Sequence, residues 1–284
     1  MQYTIEKKGV KITADTLGAE LTEIKVDGDE KLWQNETGAW AGHAPLLFPI
    51  CGRRTIVKDG KAYQTGLHSF ARKTEFSFKG KGDSFLEFSL VSSDKTKAEY
   101  PYEFDLTVRY EVTEKGVKGY YIVTNTGKED MYFSCGSHES FALKADVDDY
   151  EIEFEKEEKL INLLHDDMGR LTGATTDYGV RKTLALPKDY LQEGRTLIFG
   201  DISSTFVKLN EIGGKTLAKF TFEKCKNLLL WRADGNSKYI CIEPWGTLPE
   251  RVGKTDELST IKGVIKVAPE ETETVSREIE YNKE

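Results

Sequence analysis

Four histidines occur in the 284 residues, and two of them sit in short segments flanked by glycine and aromatic side chains: Gly66-Leu67-His68-Ser69-Phe70-Ala71-Arg72 and Gly136-Ser137-His138-Glu139-Ser140-Phe141. A carboxylate follows far downstream in Ile242-Glu243-Pro244-Trp245-Gly246. Imidazole and carboxylate beside an indole ring form an acid/base set walled by an aromatic plane, which is the equipment for proton transfer on a sugar. Opening a hemiacetal needs one group to remove the proton of the anomeric hydroxyl and another to donate a proton to the ring oxygen, and a Glu and a His suffice. Glu243, on a strand between Cys241-Ile242 and Pro244-Trp245, suits the base. Each residue also has a structural reading: a Glu at a strand end is commonly salt-bridged, and a His beside Phe141 is commonly a hydrogen-bonded packing residue.

Around these residues lie groups that can hold a polar ligand. Arg53, Arg54 and Arg72 offer guanidinium forks for sugar hydroxyls, a carboxylate or a phosphate ester, with surface salt bridges as the alternative. Trp33, Trp40, Trp231 and Trp245 offer ring faces to the apolar side of a pyranose; most tryptophans of a β protein fill the core, so one or two are expected in a cleft. Cys51, Cys135, Cys225 and Cys241 show no C-x-x-C spacing and read as buried small hydrophobes.

The elements that must position these residues are strands. In Phe104-Asp105-Leu106-Thr107-Val108-Arg109-Tyr110-Glu111-Val112 the apolar residues alternate strictly, the pattern of half-buried antiparallel sheet. Val117 to Asn125 follows across a Glu114-Lys115-Gly116 turn, then Met131 to Phe133. Further strands are expected over 86–91, 151–155, 205–209, 217–222, 228–231, 239–242, 261–267 and 274–281. Helical periodicity is nearly absent, and turn signals such as Asp27-Gly28, Asp59-Gly60 and Asp234-Gly235-Asn236 recur at the rhythm of an all-β sandwich or barrel. The stretch around His68 reads as an irregular loop, the usual carrier of site residues. With candidate residues spread from about position 50 to 245, one domain spanning residues 1–284 is favoured over a pair of small β domains.

Charge and composition exclude several classes. A formal charge of −8, from 48 acidic and 40 basic residues mixed along the chain, leaves no electrostatic footprint for nucleic acid. Apolar runs fall short of a membrane span and the start lacks a signal-peptide pattern, so a cytoplasmic location without membrane contact is expected. No nucleotide-binding glycine loop is visible, and no cofactor is expected. His68, His138 and Glu243 formally supply a two-histidine, one-carboxylate set, but without the close spacing of a metal signature, and no metal is expected.

Beyond this chemistry, several ordered blocks resemble the aldose 1-epimerase (galactose mutarotase-like) family, most closely its branch of unassigned sugar specificity. They are Gly18-Ala19-Glu20-Leu21, Leu32-Trp33-Gln34 and Trp40-Ala41-Gly42-His43-Ala44-Pro45, leading into Leu47-Phe48-Pro49-Ile50-Cys51-Gly52-Arg53; then His68-Ser69-Phe70-Ala71-Arg72, similar to the family's His-Gly-Phe-Ala-Arg; then Gly136 to Phe141, similar to Gly-x-His-Pro-Tyr-Phe; and Glu243-Pro244-Trp245. The resemblance implies a large antiparallel β-sandwich of the galactose mutarotase-like supersandwich type and an isomerase that interconverts α and β anomers of an aldohexose. It implies Glu243 as general base at the anomeric hydroxyl and His138 as general acid at the ring oxygen. His68, Arg53, Arg72 and Trp245 would bind the sugar, and Asp201, in Phe199-Gly200-Asp201-Ile202, is the counterpart offered for the family's site aspartate. Ser69 stands where the family has Gly, and Glu139-Ser140 where it has Pro-Tyr. A hexose 6-phosphate mutarotase and a non-catalytic sugar-binding or sensing protein remain the alternatives. The partner expected is a small-molecule sugar; the oligomeric state is left open.

Overall fold

The computed structural model describes residues 1–282. About half of them lie in strands, and the α-helices among the described residues are two of four residues each, Asp94–Lys97 and Lys188–Leu191. Strict alternation becomes strict one-sided burial: in Phe104–Val112 the side chains of Phe104, Leu106, Val108, Tyr110 and Val112 are buried and those between are not. Each such strand needs a layer to cover its apolar face, and an antiparallel sandwich results.

The principal sheet has thirteen strands, and its internal pairings are antiparallel. From one edge the order runs Glu139–Ala142, Tyr239–Trp245, Asn227–Trp231, Leu197–Phe199, Tyr150–His165, Phe206–Glu211, Thr216–Phe222, Thr272–Tyr281, Gly116–Asn125, Phe104–Val112, Phe85–Val91 and Ser77–Lys81. Leu171–Ala185 adds onto Tyr150–His165 as a long hairpin arm whose register breaks at three places. The sheet curls on itself, so Phe141 at one edge packs against Phe220 and Tyr281 far along the order. A buried ion pair spans the same interior, from Glu139 to the Arg277 guanidinium, which also lies over the rings of Tyr110 and Tyr121. A four-stranded sheet, Gln2–Lys7, Val10–Asp15, Leu21–Val26 and Asp29–Glu30, covers the other half; Tyr3 stacks on Phe78, and the Tyr110 hydroxyl donates to the Ala19 carbonyl at 2.7 Å.

Most strands expected from sequence are present with boundaries moved by a few residues. Two differ in kind. The strand at Tyr150 runs sixteen residues instead of five, because the exposed hairpin arm carries it well past the sandwich. The segment expected over 261–267 is a strand only at Ile265–Val267. Among the described residues no helix is long and apolar enough to cross a membrane.

Candidate functional site

Tyr239–Trp245 is buried at every position, so it lies inside the sandwich and reads as a continuous apolar run interrupted by one carboxylate, Glu243. Glu139–Ala142 pairs with it, bringing His138, just ahead of that strand, alongside Glu243. Gly136 makes the approach possible: a Cβ there would meet the Pro244 carbonyl oxygen at 2.8 Å, closer than real Cβ contacts come. The result is a contact of 3.3 Å between His138 Nε2 and Glu243 Oε2. The Trp245 indole N–H donates to the same carboxylate oxygen at 3.2 Å. Trp40 stacks on the His138 ring at 5.1 Å between centroids, and Trp231 meets it edge-on at 5.6 Å.

His68 arrives from the opposite wall on the loop expected for it. Its backbone N–H donates to the Gly52 carbonyl at 2.7 Å, and the Gly52 N–H donates to its Nδ1 at 3.2 Å. With Nδ1 accepting, the neutral ring carries its proton on Nε2 and is a donor there. The ring stands edge-on to His138 and Trp245, at 5.5 and 5.1 Å. His68 and Ser69 both hold left-handed backbone, φ 60° and 57°, a strained conformation for residues with a Cβ.

These groups line one cavity of about 430 Å³, with Arg53 and Arg72 at its wall. Neither guanidinium has a hydrogen bond or ion pair with the protein among the described residues. Arg54 does not reach the cavity: it donates to the Leu248 carbonyl at 2.7 Å and pairs with Asp256. Asp201 is also elsewhere. Its side chain is 63% exposed, its ion pair is with Lys262 at 2.5 Å, and it lies outside the cavity wall. No distinctive motif surrounds Asp201, and the chain leaves the strand Leu197–Phe199 before reaching it, so the side chain turns to solvent. A separate cavity of about 180 Å³, bordered by Phe141, Leu209 and Tyr281 together with charged residues such as Glu30 and Lys31, contains no histidine.

The sequence reading missed the tip of the long hairpin, whose His165, Asp167 and Met168 close one side of the cavity. His165 is fixed at both ring nitrogens, Nδ1 against the Asp166 carbonyl at 2.8 Å and Nε2 accepting from the Thr196 N–H at 3.2 Å. Asp166 binds Arg170 and caps the turn, so the tip is stapled. The available signal was the turn cluster Asp166-Asp167-Met168-Gly169 after the apolar stretch 160–164. Of the tryptophans, Trp40, Trp231 and Trp245 line the cavity, while Trp33 is buried against Tyr239. The four cysteines are buried free thiols.

Burial dominates the electrostatics. It pushes the Glu243 carboxyl well above its ordinary value, partly offset by the Trp245 hydrogen bond and the charge of Arg72 and reinforced by Glu139. Burial, with Arg72 adding to it, lowers the His138 imidazole to about 3. His68 is held well below its usual range by burial, then by His138 and Arg72, so it is neutral. The His138–Glu243 pair therefore holds one proton across its contact, and the two groups titrate as a unit. Donor atoms of His138, Cys241 and Glu243 lie within 4.8 Å of one another, the one group of three possible metal ligands among the described residues.

The family model described as aldose 1-epimerase matches residues 1–195. The chromosomal protein LacX of Lactococcus lactis subsp. lactis is 32% identical over 297 residues, spanning 97% of this chain and 98% of that one. A galactose mutarotase-like protein from Lactobacillus casei superposes with a TM-score of 0.90 at 25% identity, covering 99% of this chain and 100% of the other. A galactose mutarotase related enzyme from Lactobacillus acidophilus gives 0.87 at 25% identity, covering 100% and 98%. A family match over most of the chain, a relative similar from end to end and the shared supersandwich lead to one conclusion: this chain belongs to the aldose 1-epimerase family of isomerases.

Proposed function

We propose that the protein is a mutarotase for a free aldohexose, with Glu243 as general base and His138 as general acid. The observation that carries this reading is the 3.3 Å contact between the two inside a cavity of sugar-accommodating size. The anomeric hydroxyl and the ring oxygen are bonded to the same carbon, so an acid and a base serving them must stand side by side. Glu243 takes the hydroxyl proton as His138 gives one to the ring oxygen, and the ring opens. Rotation about the C1–C2 bond presents the other carbonyl face, and the same transfers in reverse close the opposite anomer. The pair starts as carboxylate and imidazolium, ends as carboxyl and imidazole, and returns; its proton count never changes. The resting pair, carboxyl pushed up and imidazole pushed down, matches the state after ring opening, and one transfer across the contact prepares the cycle. His68 Nε2–H, Arg53 and Arg72 supply donors to sugar oxygens, and the Trp245 indole borders the sugar and orients Glu243.

The two unpaired arginines favour one second reading, a hexose 6-phosphate as substrate. Arg54, tied to Leu248 and Asp256, contributes nothing to it. Anomer exchange by saturation-transfer NMR on glucose, galactose and glucose 6-phosphate tests both. In the Glu243→Gln variant the exchange rate should fall by about 10²- to 10⁴-fold with the fold intact. Acceleration that survives this substitution sinks the assignment of the base, and none on any of the three sugars turns the reading to a binding protein. If the phosphorylated sugar is preferred and Arg53→Ala with Arg72→Ala removes the preference, the second reading replaces the first.

A further inference from the structure

Cys241 and Glu243 are two residues apart on one strand and project to the same face, so a thiol lies beside the carboxylate that touches His138. Cys241 is fully buried in a small aromatic cluster with Trp33 and Tyr239, beneath the floor of the cavity that His138 and Glu243 line. Two of the other thiols have partners elsewhere: Cys51 lies 3.6 Å from the Ser134 hydroxyl, and Cys225 donates to the Cys135 carbonyl at 3.8 Å.

We infer that His138, Cys241 and Glu243 form a capture site for a thiophilic divalent cation of the zinc type, and that the ion inhibits the enzyme by occupying its acid and base. The inhibitory part rests on the proposed roles of His138 and Glu243. Bonds of about 2.0–2.3 Å to nitrogen, oxygen and sulfur place the donors of a tetrahedral zinc roughly 3.5 Å apart. His138 and Glu243 already stand at 3.3 Å, and a set within 4.8 Å closes with side-chain rotations of about an ångström. Three protein donors leave a tetrahedral ion a fourth position for a water or a sugar hydroxyl. One thiolate, one imidazole and one carboxylate select zinc-like ions over magnesium or calcium, which take all-oxygen shells. The bonds formed are metal–sulfur, metal–nitrogen and metal–oxygen. The thiol proton and the proton shared by the pair pass to solvent, and no electron moves.

Cobalt(II) is the direct probe, because a thiolate ligand gives a sulfur-to-cobalt charge-transfer band in the near ultraviolet. The expected result is that band at one equivalent, its loss on adding zinc, and anomer exchange reduced by about 10²-fold or more with zinc present, the contribution of a positioned acid/base group. A chelator restores the rate. Cys241→Ala should exchange anomers at the unmodified rate in chelated buffer while losing both the band and the zinc sensitivity; Cys51→Ala should keep both. If the alanine variant does not fold, Cys241→Val fills the buried space and gives the same readouts. No thiolate band, or equal zinc inhibition without Cys241, overturns the site. A band in a chain that accelerates no exchange on any sugar upholds the site and removes the mutarotase reading instead.

Discussion

A carboxyl pushed up and an imidazole lowered to about 3, sharing one proton across 3.3 Å, predict an unusual pH profile. In the proposed mechanism the active form is the one-proton pair. Protonating it further draws on His138, so the acid limb of kcat/KM should fall near pH 3; removing its last proton draws on Glu243, so the alkaline limb should lie well above 4.5. A bell confined between 4.5 and 6.5, the values of the isolated groups, would contradict the shared proton. Circular dichroism at each pH separates loss of rate from loss of fold. Ser69 carries a second prediction. It holds φ 57° with its hydroxyl buried and unpartnered, where the family resemblance puts a glycine. Ser69→Gly relieves a left-handed conformation costing about 1–2 kcal/mol, against a smaller loss from the more flexible unfolded chain, so stability should rise by about 1 kcal/mol. The urea midpoint should increase at unchanged slope; an unchanged or lower midpoint counts against the strain.

At the level of elements, Glu139 stands beside His138 where the family resemblance puts a proline. Strand alternation turns Glu139 away from His138 and into the sandwich, where Arg277 meets it. Removing one buried partner strands the other charge, so Glu139→Gln should cost about 3–5 kcal/mol, whereas Glu139→Leu with Arg277→Met should recover most of that. Denaturant titration of the single and double variants decides; equal losses in both would mean that packing, not charge, sets the cost. Phe104–Val112 was legible from alternation, because a strand covered on one face writes its burial into every second residue. Tyr239–Trp245 was read as four residues and has seven, since a strand buried on both faces has no alternation to mark its end. The hairpin arm was missed beyond position 155 because Leu171–Ala185 is mostly exposed, with too few apolar residues to give it a period.

Across the whole molecule, the cavity draws on residues from Trp40 to Pro249, joined only by the pairing of strands distant in sequence. Short blocks around His68, His138 and Glu243 could be picked out because histidine and tryptophan are uncommon and sit there beside glycines and aromatic residues. Asp201 had no such marker, His165 at the hairpin tip stands without an aromatic neighbour in sequence, and only the path of the chain separates an aspartate at the surface from one at the cavity. The same hairpin arm has a bearing on behaviour in solution. Beyond Leu171, which bridges to Arg251, the outer edge of Leu171–Ala185 has no neighbouring strand among the described residues, so its N–H and C=O groups are a template on which another chain can add. Three breaks in register and the charges of Asp177, Arg181 and Lys182 interrupt that template. The irregularity that hid this arm from a periodic reading thus also guards the protein against aggregation through edge-to-edge strand addition.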